Sequence, residues 1–334
     1  MSPVELLDMM RELRHEPVVL GSSAGAGTAA DWHGKAARRE RRHPRRTARA
    51  ALVTMRPKQW LKNGLILAAA GAAGALGHDD VPLRVAIATL AFCLISGGIY
   101  AVNDVRDRHE DRLHPRKCRR PVAAGDLRAD AALLLGLGLI AVGVLVCAAV
   151  RPLLGVVGGG YVVLTLSYTF IWREIVLFDL VAIAGGFVLR AVAGGVAAPV
   201  TLSRWFLLVV TAAAVLVAAG KRFAELRRTL KLGARRRRVL DHYTPEMLTA
   251  LMAGCAITAL FAYAMWAAAM PDVHGVPWRP LTVVPFGACL VRYVALVRAG
   301  AGETPEELVL GDRALALSGL AWLVLFALGV HAAG

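Results

Sequence analysis

Acidic side chains are scarce in this 334-residue chain, 24 against 39 basic ones, so any cluster of acids is conspicuous. Cysteine is scarce too. Cys93, Cys118, Cys147, Cys255 and Cys289 form no CxxC pair, and four of the five sit within apolar runs. That spacing excludes a zinc ribbon and a disulfide framework. What the chain has in excess is apolar residues: 57% are hydrophobic and the mean hydropathy is +0.55. A soluble domain does not have this composition; a polytopic helical membrane protein does.

A helix needs about 20 apolar residues to cross the hydrocarbon core. Nine runs are candidates: Gly64–Leu76, Pro82–Val102, Ala129–Val150, Leu153–Trp172, Ile175–Ala197, Trp205–Gly220, Pro245–Met270, Leu281–Arg298 and Ala314–Ala332. The first and sixth are short, with Trp60 and Trp205 as interface anchors. The expected fold is therefore all-α, a bundle of nine transmembrane helices. With the N-terminus inside, 33 of the 39 basic residues fall on cytoplasmic segments and four on outside loops. This bias predicts an N-terminus in the cytoplasm and a C-terminus outside. It also explains the net charge of +15 through topology and anionic lipid, so no nucleic-acid partner is expected.

Residues 1–50 read as a basic, flexible N-terminal arm appended to a catalytic domain over 51–334. Met1–Arg14 has the spacing of a short amphipathic helix, Gly21–Ala30 is rich in small residues, and Lys35–Arg49 is a basic run. No apolar core with a cleavage site follows the charges, so the arm does not read as a secretory signal.

Chemistry concentrates where the second candidate span ends. Asn103, Asp107 and Asp111 are spaced by four and share one helical face, with Asp104 at its edge. Like charges at that spacing repel, so a cation is the natural reason to keep them. Converging oxygen ligands suit Mg2+, and Mg2+ suits a diphosphate. His114, Pro115, Lys117, Arg120, Pro121 and Gly125 follow at once, and the basic residues among them supply phosphate-binding cations beside the metal. Other candidates stand at the same mouth of the bundle. Lys58 and Lys62, four apart, offer an anion site at the start of the first span. Lys221 and Arg222 emerge where the sixth ends. Tyr168 and Arg173 close the fourth span, and Asp179 lies a turn inside the fifth, where an acid is a candidate functional residue. Arg190, eleven residues on, reads as structural. Arg292 and Tyr293 stand near the last cytoplasmic loop, whose Thr304-Pro305-Glu306-Glu307 reads as a helix start.

These residues resemble the UbiA-type intramembrane prenyltransferase superfamily. Its first aspartate motif, NDxxDxxxD, is present as Asn103, Asp104, Asp107 and Asp111, and its HPxKxxRPxAxG stretch runs from His114 to Gly125. In place of the second acid pair of many members stands YxxxWRxxxxxD, through Tyr168, Arg173 and Asp179. That form resembles the decaprenyl-phosphate phosphoribosyltransferase branch, which commonly has Lys where Arg173 stands; the two are not interchangeable at a phosphate. The resemblance implies transfer of 5-phosphoribose from phosphoribosyl diphosphate (PRPP) to a polyprenyl phosphate at a plasma-membrane site facing the cytoplasm, feeding arabinogalactan synthesis. It implies Mg2+ on Asp104, Asp107 and Asp111 with Asn103 assisting. Lys117, Arg120, Lys221 and Arg222 would then meet the leaving diphosphate, Lys58 and Lys62 the lipid phosphate, and Tyr168 and Asp179 the ribose or a second metal. The alternative within the superfamily is prenyl transfer to an aromatic or porphyrin ring, against which the missing acid pair counts. A transporter would place its charges near the bilayer midplane and often carry repeats, and this chain does neither. Nothing in the sequence decides between a monomer and a homo-oligomer.

Overall fold

The computed structural model describes residues 44–78, 80–172, 175, 178–232, 240, 242–269, 276–301, 308 and 311–331. The first 43 residues of the expected arm, Arg173, and the Thr304–Glu307 helix start lie outside them, as does the side chain of Asp179. Every described element is helical apart from turns and one bridge residue. The α-helices are α1 (Pro44–Thr54), α2 (Gly64–Ala72), α3 (Val81–Arg106), α4 (Arg108–Leu113), α5 (Ala129–Val150), α6 (Pro152–Ser167), α7 (Phe178–Ala197), α8 (Arg204–Leu232), α9 (Pro245–Ala268), α10 (Trp278–Leu281), α11 (Val283–Arg298) and α12 (Arg313–His331). Among the described residues, seven helical stretches are long and apolar enough to cross a membrane, and the last helix is a shorter apolar one. The protein is an all-α, polytopic membrane protein.

Two compact units share the long α3. The first comprises Met1–Pro57 and Leu94–Val142, the second Lys58–Cys93 and Gly143–Gly334. In the first unit, α3 and α5 touch backbone to backbone: a Cβ at Gly98 would stand 2.5 Å from the Gly136 carbonyl oxygen. Small residues permit that approach, and in lipid close packing replaces the hydrophobic effect as the force between helices. In the second unit α2 lies as closely on α7, where a Cβ at Gly194 would meet the Ile66 carbonyl oxygen at 2.2 Å. The core of this unit runs along α8, α9 and α11 through Leu216, Phe223, Leu248, Met252 and Val297. Leu83 and Leu90 on α3 and Leu134 and Leu145 on α5 are each more than 60% exposed, a liability in water but ordinary against acyl chains.

Element ends follow local chemistry. Arg151 alone separates α5 from α6, and Pro152 opens α6 where its missing N–H costs nothing. The Thr244 hydroxyl accepts the Met247 N–H at 3.1 Å and caps α9. Two expected ends move. The helix expected to stop at Gly220 continues to Leu232, so Lys221 and Arg222 are helical residues and not the start of a loop. Ahead of α2, Pro57–Asn63 winds as a 3-10 helix. Three residues per turn separate Lys58 from Lys62 around the axis and set Lys62 over Gln59 instead. The Lys62 Nζ accordingly donates to the Gln59 Oε1 at 2.7 Å.

Candidate active site

The aspartate motif straddles a break. α3 ends at Arg106, Asp107 occupies the N-cap position of α4 with no side-chain capping bond, and the backbone bonds Asp107 N–H to Asn103 O (2.9 Å) and Asp111 N–H to Asp107 O (2.8 Å) carry the helical register across it. The four-residue stripe read from the sequence therefore survives a helix end. Asp104 and Asp111 are each 2% exposed, two turns apart, and share one partner. The Arg120 Nη1 donates to the Asp111 Oδ2 at 2.6 Å and to the Asp104 Oδ1 at 3.3 Å. Lys117 stands 3.9 Å from Asp111, and Asp107 lies 4.0 Å from Arg106.

The loop after α4 aims these cations. The His114 Nδ1 accepts the backbone N–H of Arg116 (3.2 Å) and Lys117 (3.3 Å), so the ring closes the turn that presents Lys117. Arg112 donates to the Ala123 carbonyl, and Gly125 holds φ at +80°, a conformation that favours glycine. The HPxKxxRPxAxG stretch is thus a shaped loop that returns Arg120 to the acids.

One participant was not among the sequence candidates. The Arg56 guanidinium pairs with the Asp104 Oδ1, and lies 4.7 Å over the Tyr100 ring. The signal in the sequence was its place just ahead of Pro57 and Lys58, but a lone arginine there is indistinguishable from a topological anchor. Three cations now surround two buried carboxylates. The Asn103 Oδ1 is buried without a hydrogen-bond partner among the described residues. Hard oxygen donors, one of them orphaned, fit Mg2+.

The remaining candidates belong to the second unit. Lys58 is exposed, and Lys221 is exposed on α8. Arg222 is buried beside Lys221 and pairs with Glu225. Tyr168 opens a π-helical turn, Tyr168–Trp172, that ends α6. The Arg190 guanidinium is 5% exposed and bonded to Asn63 Oδ1 (2.7 Å), Tyr161 Oη (2.6 Å) and Gly186 O (2.9 Å). It is structural, as its sequence reading has it. Arg292 takes a bidentate grip on Asp312 at 2.7 and 3.0 Å, tying α11 to α12, while Tyr293 packs on Gly220.

An apolar cavity of about 560 Å3 occupies this unit, walled by α2, the first half of α8, the end of α9 and an aromatic group of Tyr263, Trp266, Phe286, Trp322 and Phe326. It reaches Gly64, two residues from Lys62, and Val217, one helical turn from Lys221. Candidate phosphate-binding cations thus stand near residues that line a lipid-sized hollow.

The UbiA prenyltransferase family model matches residues 64–318. Over 299 residues the chain is 38% identical to the decaprenyl-phosphate phosphoribosyltransferase of Corynebacterium glutamicum, covering 88% of this chain and 90% of that one. Identity to the Mycobacterium tuberculosis H37Rv protein of the same name is 34%, over 84% and 94%. The structure of a UbiA homolog from Archaeoglobus fulgidus bound to GPP and Mg2+ superposes with a TM-score of 0.64 at 16% identity, covering 85% of this chain and 99% of that one, a likeness of fold. The chain belongs to the UbiA prenyltransferase family, in the branch represented by the decaprenyl-phosphate phosphoribosyltransferases.

Proposed function

We propose that this protein transfers 5-phosphoribose from PRPP to a polyprenyl phosphate of decaprenyl type. The observation that carries the reading is the identity to decaprenyl-phosphate phosphoribosyltransferases over nearly their whole length. The motif geometry and the apolar cavity support it.

Asp104, Asp107, Asp111 and the unpartnered Asn103 Oδ1 would hold Mg2+, whose bound charge makes the diphosphate a better leaving group. Arg120, Lys117 and Arg56 already converge on these acids and take up negative charge as the diphosphate departs. A phosphate oxygen of the lipid attacks the ribose C1. The new O–C1 bond forms as the bond from C1 to the diphosphate oxygen breaks, and the electron pair leaves with the diphosphate. The nucleophile is anionic at neutral pH, so the reaction requires no general base. Lys58 and Lys62 bind the lipid phosphate, with the tail in the adjoining cavity. Lys221 and Arg222 meet the leaving diphosphate, with Arg222 held by Glu225 until then. Tyr168 and Asp179 serve the ribose hydroxyls or a second metal, and Arg173 takes the phosphate-binding place of the branch's lysine. The chain crosses the membrane nine times with its N-terminus and active site on the cytoplasmic side, and residues 1–50 form an arm outside the catalytic domain.

The test is lipid-linked product formation. Purified protein is given polyprenyl phosphate, labelled PRPP and Mg2+, beside samples with EDTA or the Asp107→Asn variant. Label entering the organic phase, and lost in both controls, is the expected result. No transfer by folded protein would turn the assignment toward a prenyl diphosphate donor and an aromatic acceptor.

A further inference from the structure

A second concavity lies away from the apolar cavity, where α8 ends and α9 begins. Its volume is about 890 Å3, and its lining is mixed polar and apolar. Phe223, Arg227 and Leu230 line it from α8, at positions i, i+4 and i+7 of one helical face. Glu246, Ala250 and Ala253 line it from α9 with the same spacing, and Arg298 closes it from the end of α11.

Length places this groove at the membrane surface. α8 has 29 residues, about 43 Å, against a hydrocarbon core of about 30 Å. With Arg204 and Trp205 at one interface, Arg204–Phe223 spans that core and Arg227 falls at headgroup level. The arginine is not a freely snorkelling anchor. Its Nη1 donates to the Arg298 carbonyl oxygen at 2.6 Å, and its guanidinium lies 5.7 Å over the Phe223 ring. A guanidinium fixed in this way loses little further entropy on meeting a phosphate. The exposed Arg298 adds a second cation, and Glu246 is the only acid in the lining among the described residues. Beside these cations, the exposed Ala250 and Ala253 give the lining an apolar strip of small side chains on α9.

We infer that this groove binds an anionic glycerophospholipid from the surrounding bilayer, with its phosphate on Arg227 and Arg298 and an acyl chain laid over Ala250 and Ala253. The apolar part of the lining, through Ala250 and Ala253 on α9, is what favours a lipid over a free phosphate. The site is separate from the proposed substrate residues and does not depend on the reaction assigned to them.

The test uses the full chain, delipidated in detergent and offered dioleoylphosphatidylglycerol, dioleoylphosphatidylcholine or inorganic phosphate, with lipid adducts counted by native mass spectrometry. Retention of one phosphatidylglycerol, with a preference of about tenfold over phosphatidylcholine (~1.4 kcal/mol), is expected, because the choline cation of the zwitterionic lipid is repelled by the two arginines. The Arg227→Gln/Arg298→Gln variant should retain both lipids alike. Ala253→Trp keeps both cations and is an exposed change, so it should fold normally and still lose the adduct. Equal retention of phosphatidylglycerol by the wild type and Ala253→Trp overturns the inference. So does competition by inorganic phosphate at millimolar concentration, which would make this a soluble-anion site. Dissociation of an oligomer in the variants would make it an interface between copies, and equally overturns it.

Discussion

Two arginines occupy the acids that the family motif reserves for a cation. Arg56 pairs with Asp104, and Arg120 bridges Asp104 and Asp111. A divalent ion entering this set competes with them, and removing one positive charge lowers the barrier. Arg56→Gln is accordingly expected to tighten Mn2+ binding by about tenfold, ~1.4 kcal/mol, in an electron paramagnetic resonance titration. Weaker binding in the variant would show that Arg56 supports the ion and does not oppose it. Arg190 makes a contrasting case, a buried guanidinium held by neutral acceptors. Arg190→Leu removes the donor to the Asn63 Oδ1 and to the Tyr161 hydroxyl, and a loss of about 3 kcal/mol, read as a lowered Tm in detergent, is expected.

Helix contacts set the next scale. At Gly194 the α7 backbone rests on α2, and a methyl group has no room that a side-chain rotation could free. Gly194→Ala should cost about 1–3 kcal/mol, whereas Gly254→Ala, which meets nothing within 4 Å, should be silent or slightly stabilising. The start of α12 depends on charge. Asp312 accepts the Leu315 N–H at 2.9 Å and the Arg292 fork, and these contacts, the fork first, hold its carboxyl down to about 2. A depressed carboxylate contributes fully above the ordinary value of about 3.9 and loses its contribution as pH falls toward 2. The stability difference between wild type and Asp312→Asn should therefore be constant above about pH 4 and vanish near pH 2. A difference that persisted at pH 2 would locate its origin in packing.

At the scale of the whole molecule, topology and lipid capture are testable together. Leu113, 89% exposed after the aspartate motif, offers a reporter. A Leu113→Cys protein should react with a membrane-impermeant maleimide in inverted vesicles and not in right-side-out ones; the reverse would place the motif outside. Ala213 lines the apolar cavity, so Ala213→Trp should raise the KM for polyprenyl phosphate and leave that for PRPP unchanged. A change in both would mean that the cavity serves the fold more than the lipid.

The sequence by itself determined the all-α membrane class, because apolar runs of span length have no other stable form in lipid. It also determined the aspartate stripe, because i, i+4 spacing is a property of the local chain and survives the break at Asp107. It singled out Lys117 and Arg120 through a motif, and read Arg190 as structural. Only the tertiary structure decided which charges meet. Arg56 reaches Asp104 across 48 residues of chain, Asn63 meets Arg190 across 127, and Arg292 turns to Asp312. Such pairings depend on how helices pack, and no periodicity encodes them. The structure also replaced a helical Lys58–Lys62 face with a 3-10 one, because the pitch of a short segment is set by what it packs against, and residue type has little say.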